Sequence, residues 1–366
     1  MIESVYFYVF VALTVIQSAY LIFFSSLLFK RKSKEEANNH MRPLSVIVYA
    51  KNNWQALSKT LADLFQQKRP KFEVIVVDND SIDDTLEELE KLQSREPRLK
   101  VVDVKNNEAF WANKKYALTL GIKSASYEYI VFTQPNIHIQ SENWLQSLSS
   151  HFSEEKTLII GLSNPKPSNS LGSFFTQFEN FVLSLFSLNF GKLGKSFFAW
   201  DSNFAFKKSE FFRVKGFIFH LRNKLSVSSL FLKDAQRKNN IAIAWEEDSF
   251  MTELPSDNPA NWSTRNGEKL GVLHRSSFDV KFWFYLFYLT RLSFYGLGIY
   301  LLFTKDLLPT SIIFAVFIVL SMVVSFFILK PSKQLRLLFL YPFLDLFHLL
   351  SQIVFFIVYF VIKKKD

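Results

Sequence analysis

Lys114 and Lys115 open the run NKKYALTLGI, where two ammonium groups could meet a phosphate or simply face water. Two short polar runs each follow an apolar stretch. Asp78-Asn79-Asp80-Ser81 is rich in carboxylates, and Gln134-Pro135-Asn136 offers amides alone. Glu246, Glu247 and Asp248 form an acidic cluster that could hold a proton acceptor, although a solvated loop is the plainer reading. His138 lies two residues beyond Asn136, and His274 follows much later. The run Gly191 to Ser196 has the Gly-Lys-Ser ending of a phosphate-binding loop. Asn189 stands where that motif needs glycine, so the run is set aside. The chain has no cysteine, which excludes disulfides, zinc–thiolate sites and a cysteine nucleophile.

These residues sit between elements that alternate strand and helix. LSVIVY (44–49), FEVIVV (72–77), 99–104 and YIVFT (129–133) read as short buried strands. Between them, 54–67 places Leu57, Leu61, Leu64 and Phe65 at helical spacing. Ser81 is a candidate cap for a helix opening with Asp83 and Asp84. Further helices are expected over 111–125 and 142–152, and a strand over 241–244. The alternation predicts an α/β domain with a mostly parallel sheet covered on both faces. Ligands then lie beyond the carboxyl ends of the strands. The runs to read are Ala50-Lys51-Asn52-Asn53, Asp78 to Ser81, and Gln134 to Asn136.

With those positions set, residues 43–274 resemble the family 2 glycosyltransferases and their GT-A, Rossmann-like fold. The resemblance rests on FEVIVVDNDSIDDT, NKKYALTLGI, YIVFTQPN and SNFAFKKSEFF. It implies that Asp78 and Asn79 stand where the family holds the nucleobase, with Lys114 and Lys115 bordering the nucleotide. Gln134 and Asn136 stand where the family's Asp-x-Asp carries a divalent metal and the sugar diphosphate. Val227, Ser228 and Ser229 fall where it supplies the catalytic base. The first-strand motif closes on Asn53 rather than an acid, and Arg265 to Lys269 keeps at most the arginine of Gln-x-x-Arg-Trp.

The replacements have a common sense. Magnesium and manganese bind through anionic oxygens, and amides lack the charge. A general base is worth about 10² to 10⁴ in rate, which a serine hydroxyl near neutral pH does not supply. The expectation is therefore a vestigial nucleotide site at Asp78, Asn79, Lys114 and Lys115. No metal is expected at Gln134 and Asn136, no catalysis at Val227, Ser228 and Ser229, and no cofactor. Any other ligand set would be sought at His138, Asp201 and the Glu246 cluster.

The rest of the chain is apolar. Of 366 residues, 49% are hydrophobic and 42 are phenylalanine, which excludes disorder as the main state. Val5 to Phe29 is uncharged and long enough to cross a hydrocarbon core of about 30 Å, and Lys30, Arg31, Lys32 and Lys34 follow it. Stretches at 282–303, 311–329 and 337–362 follow the α/β region; the last ends in Lys363, Lys364 and Lys365. The basic residues flank the apolar runs, so the net charge of +10 points to a membrane surface and not to nucleic acid. The expected organisation is an anchor (1–29), a basic linker (30–42), a cytoplasmic GT-A-like domain (43–276) and a membrane region (277–366).

Within that last region the positive-inside rule conflicts with three crossings, because the lysine tail would then lie outside. Pro342 and Asp345 suggest an interfacial or re-entrant hairpin, and Arg291 suggests either snorkelling to the interface or an ionic partner. The leading reading is a glycosyltransferase-like protein of the bacterial inner membrane. It would be inactive and serve as scaffold or subunit of a cell-envelope complex. Its partners would be lipid, other membrane or envelope proteins, and residually a nucleotide sugar. The alternatives are an active, metal-independent transferase and a module that binds without turnover.

Overall fold

The computed structural model describes residues 2–29, 42–68, 71–105, 114–254, 262–304 and 306–362. The expected basic linker up to Met41, Trp111 to Asn113 and the lysine tail lie outside the described residues. So do the side chains of 2–4, 262–265 and 359–362.

In chain order the elements are α1 (Ile2–Ser25), β1 (Leu44–Ala50), α2 (Trp54–Phe65), β2 (Phe72–Asp78), α3 (Thr85–Gln93), β3 (Leu99–Asp103) and α4 (Lys114–Ser124). Then come β4 (Tyr129–Thr133), β5 (Ile137–Ile139), α5 (Trp144–Ser150), β6 (Leu158–Ile160), β7 (Ser163–Pro165) and α6 (Leu171–Lys192). They are followed by β8 (Phe204–Lys207), α7 (Lys208–Arg213), α8 (Val227–Ala235), β9 (Ile241–Ile243), β10 (Met251–Glu253) and α9 (Trp262–His274). The chain closes with α10 (Phe278–Leu301), α11 (Leu307–Leu329) and α12 (Tyr341–Ile362). It divides into two compact units, one of residues 32–166 and 190–273, the other of 1–31, 167–189 and 274–366. Residues 167–189, which fall inside the expected domain 43–276, therefore group with the terminal helices.

The first unit holds a seven-stranded sheet of order β3-β2-β1-β4-β8-β6-β9 and a three-stranded sheet of order β5-β10-β7. β1 lies between β2 and β4 and pairs parallel with both, so its apolar residues are covered on both faces. The register sets Ala50 opposite Asp78 and Val48 opposite Thr133. Three strands thus finish along one edge, and the strand order reverses between β1 and β4, the place where such sheets bind ligands. β8 runs antiparallel to β4 and β6. α4 packs on this sheet through Gly121. A Cβ there would lie 2.6 Å from a Val77 methyl and 3.2 Å from an Ile47 methyl, so only glycine allows the approach.

The second unit is helical and aromatic. α1 and α10 run antiparallel, with Tyr6 against Tyr300, Phe10 stacked on Phe294 and Tyr20 against Phe287. α11 lies against both through Phe314, and Phe317 meets Phe294. α12 meets α10 in reverse sense: Asp345 beside Arg291, His348 beside Tyr288, Phe356 beside Phe284 and Tyr285. Its far end therefore returns to the level where α10 begins. α6 contributes Phe186 against Phe284 and Phe287, and Phe175 and Phe178 against Phe347 and His348.

Three stretches are long and apolar enough to cross a membrane, Val5–Leu28, Leu307–Leu329 and Leu335–Val358. α10 has 24 residues and lies along α1, but it is not among these three stretches. Pro342 stands in the first turn of α12, where its missing N–H costs nothing. Of the two readings of Arg291, the structure shows the ionic partner and not snorkelling. Its side chain is buried and donates to Asp345 (3.1 Å) and Gln17 (3.2 Å), while the Tyr295 hydroxyl also donates to Asp345.

Candidate functional site

The ends of β1 and β2 are knitted to each other before any ligand enters. Asp78, buried at the end of β2, accepts from the Ser81 backbone N–H (3.0 Å) and the Ser81 hydroxyl. Ser81 is therefore not the helix cap expected from the sequence; α3 starts at Thr85 with Asp84 at its cap position. Asn52, in the left-handed region at φ 50°, accepts from Ile82 N–H (2.8 Å) and donates its own N–H to Ser81 Oγ (2.9 Å). The Asn53 N–H donates to the Thr85 hydroxyl. Asn79 is buried, and its Nδ2 donates to the Tyr49 hydroxyl (3.0 Å). Its Oδ1 is buried without a hydrogen-bond partner. Burial pushes the Tyr49 phenol upward, the Asn79 hydrogen bond works against that, and the Asp78 charge adds to it.

Beside these loops lies a cavity of about 620 Å³, bordered by Lys114, Lys115, Gln134, Asp201, the segment 221–227 and Glu268. Asp201 is its centre of charge. The turn that carries it is pinned by the next residues. The buried Asn203 amide donates to the Leu162 and Ser249 carbonyls and accepts from the Trp144 indole N–H. The Asp201 carboxylate accepts from Lys114 Nζ (3.2 Å), the Ser226 hydroxyl (2.8 Å) and the Ser228 backbone N–H (2.8 Å). Burial alone would raise its pKa. The Lys114 charge, the Ser228 N–H and the Ser226 hydroxyl outweigh that and hold it below the usual carboxylate value.

Val227, Ser228 and Ser229 form the first turn of α8, with Ser226 as N-cap. Val227 borders the cavity. The Ser228 hydroxyl is buried without a partner, and the Ser229 hydroxyl bonds the backbone of Ala199. Lys114 Nζ also lies 5.7 Å from the centre of the Tyr49 ring. Lys115 is spent internally: its ammonium donates to the Asn223 carbonyl, and burial pulls its pKa down.

The structure brings Lys114, Lys115, Gln134 and Val227 to one cavity. Asp78 and Asn79 lie at the adjacent strand ends, and Asn136 turns through the left-handed region (φ 68°) with its carbonyl accepting from Leu254 N–H. The other sequence candidates are engaged elsewhere. His138 pairs with Asp63, Glu246 with His151, and Asp248 accepts from Ser141. Arg265 lies in α9 with its side chain outside the described residues, and His274 ends that helix.

Among the described residues no three His, Asp or Glu side chains come together as metal ligands. The donor set around Gln134 does not fit a divalent cation either. The cavity offers a neutral amide, the Glu268 carboxylate, the Asp201 carboxylate already held by three donors, and the Lys114 ammonium, which would repel a metal. Sequence reasoning missed how central Asp201 is. It stands one residue before SNFAFKKSEFF and 87 residues from its ionic partner. Arg222 and Lys224, which border the cavity, were missed outright.

Residues 45–212 match the model of the family described as Glycosyl transferase family 2. No curated protein matches the chain in sequence. Among solved structures, the mannosyltransferase PcManGT from Pyrobaculum calidifontis, determined with GDP-Man and Mn2+, superposes with a TM-score of 0.55 at 12% identity. The match covers 92% of this chain and 99% of that one. At that identity the likeness shows the shared fold, which is GT-A. TarS 1-349 from S. aureus matches with a TM-score of 0.43 and 16% identity over 82% of this chain and 91% of its own.

Proposed function

From the premise that this chain belongs, through residues 45–212, to glycosyl transferase family 2, we propose that its cleft no longer transfers sugar with metal assistance. The protein then acts as a membrane-held scaffold or subunit of a cell-envelope complex in the bacterial inner membrane. The observation that carries this is the state of Asp201. It is the carboxylate nearest the first turn of α8, and its partners keep it ionised and weakly basic. A proton acceptor works best with a pKa near the operating pH; Asp201 is displaced away from it. Ser228 and Ser229 add no base.

The membrane arrangement follows the packing of the helical unit. α1, α10 and α11 cross, and α12 lies with its end returned to the level of the start of α10. On this reading the lysine tail is expected on the side of Lys30 to Lys34, as the positive-inside rule asks. A second reading, a metal-independent transferase, is favoured by one fact: Asp201 stands 2.8 Å from the Ser228 N–H, where a relocated base would sit.

The test is turnover. Full-length protein in lipid nanodiscs is given uridine and guanosine diphosphate sugars and a membrane extract, and nucleoside diphosphate release is followed. No release above an empty-disc control is expected, while mild-detergent purification from cells should bring down stoichiometric envelope proteins. Sustained release that disappears in Asp201→Asn would sink the scaffold reading and establish the second.

A further inference from the structure

We propose that Lys114, fixed by Asp201, is a built-in cation of the cleft, and that with Arg222 and Lys224 it binds a phosphate- or diphosphate-bearing ligand without a metal ion. This rests on the reading that the cleft has given up metal-assisted transfer, and it says what the cleft retains.

The geometry of Lys114 is that of a mounted charge. An ammonium has three N–H donors. One reaches Asp201, and the Tyr49 ring stands beside it. The side chain is about one-third exposed and borders the cavity, so the remaining donors can reach its contents. Asp201 is in turn held by Ser226 and the Ser228 N–H. The ammonium therefore does not have to be ordered when a ligand arrives, which is the condition under which a charged donor is most effective.

The cavity has a second pair of cations. Arg222 and Lys224 border it from the segment before α8, both exposed, and among the described residues neither forms an ion pair. Lys115 is set apart, since it is buried and its ammonium is turned to the Asn223 and Leu225 carbonyls. Four cationic side chains border the space against two carboxylates, Asp201 and Glu268. An anion is the ligand such a lining selects, and a guanidinium beside ammonium groups suits phosphate oxygens. A divalent cation at this place would face Lys114 directly. The same feature that excludes the metal thus supplies the positive charge the metal would have brought.

The proposal is tested by calorimetry on the full-length chain in nanodiscs, separately with inorganic pyrophosphate, uridine diphosphate and a short-chain polyprenyl phosphate. Each is titrated with magnesium and with excess chelator. At least one is expected to bind with an affinity that chelator changes by less than about twofold. The binding should weaken roughly tenfold or more in Lys114→Gln and in the double variant Arg222→Ala with Lys224→Ala, the size expected for a lost charged contact. Lys114→Arg should retain most of it.

Which probe binds tells a soluble nucleotide from a lipid-linked phosphate. Binding that vanishes with chelator, or that is indifferent to both variants in protein of unchanged melting temperature, overturns the proposal. So does the absence of binding by all three probes. Turnover is read independently: sugar transfer with chelator-resistant binding would remove the scaffold reading and leave this one standing.

Discussion

Asp201 accepts from a lysine, a serine hydroxyl and a backbone N–H at once, and that has a consequence for stability as well as for basicity. Its pKa is depressed in the folded chain, so its contribution is fully present above the unfolded carboxylate value of about 4 and is lost as pH falls through the folded value. Asp201→Asn should lower the unfolding free energy by roughly 1.5–3 kcal/mol at neutral pH, the worth of hydrogen bonds to a charged group. Thermal melts of wild type and variant should run parallel above about pH 5 and converge as the pH is taken below 4. A gap that stayed constant down to pH 3 would mean that the carboxylate is not ionically held. Nothing in the local sequence marks Asp201 as special. Its partners come from two other segments, and a charge that acts through distant neighbours has no spacing to be recognised by.

Elements were legible in proportion to their burial. β1, β2 and β4 stand within a residue of their expected ends, because strands covered on both faces read as unbroken apolar runs. Of the short strands, β9 was expected over 241–244, while β5, β6, β7, β8 and β10 were not foreseen; three or four residues carry little measurable alternation. α6 was missed because Gln177, Glu179 and Asn180 interrupt its phenylalanines, yet all three are buried. The α4 packing shows what a single residue settles at this scale. Gly121→Ala would press a methyl into Val77, so we expect a loss of about 1–3 kcal/mol from overpacking. The start of α4 should shift with it, carrying Lys114, and pyrophosphate affinity should fall together with the melting temperature. Destabilisation with unchanged affinity would show that α4 yields without moving its first turn.

At the scale of the whole molecule, topology is open to direct measurement because the chain has no cysteine of its own. Single cysteines at Lys91 and Lys364 should both resist an impermeant reagent in intact cells, and one at Leu308, in the first turn of α11, should react. Labelling at Lys364 would place the tail outside and make α12 a crossing helix. The buried Arg291–Asp345 pair gives a second measurement. Removing one partner leaves a charge stranded, which costs about 3–5 kcal/mol in buried pairs. Arg291→Leu and Asp345→Leu should therefore each destabilise strongly in detergent melts, and the double variant should recover much of the loss. Additive losses would argue that the pair is not the unit. The same helical unit has a consequence in time. Gln17 of α1 donates to the Thr290 hydroxyl of α10, 273 residues later in the chain. At roughly 5–20 residues per second, the ribosome needs about 15–55 s to deliver that partner. If α1 is inserted as it is made, it waits in the bilayer with its amide unmatched, exposed to whatever insertion factor or quality-control protease surveys lone polar helices, until α10 arrives.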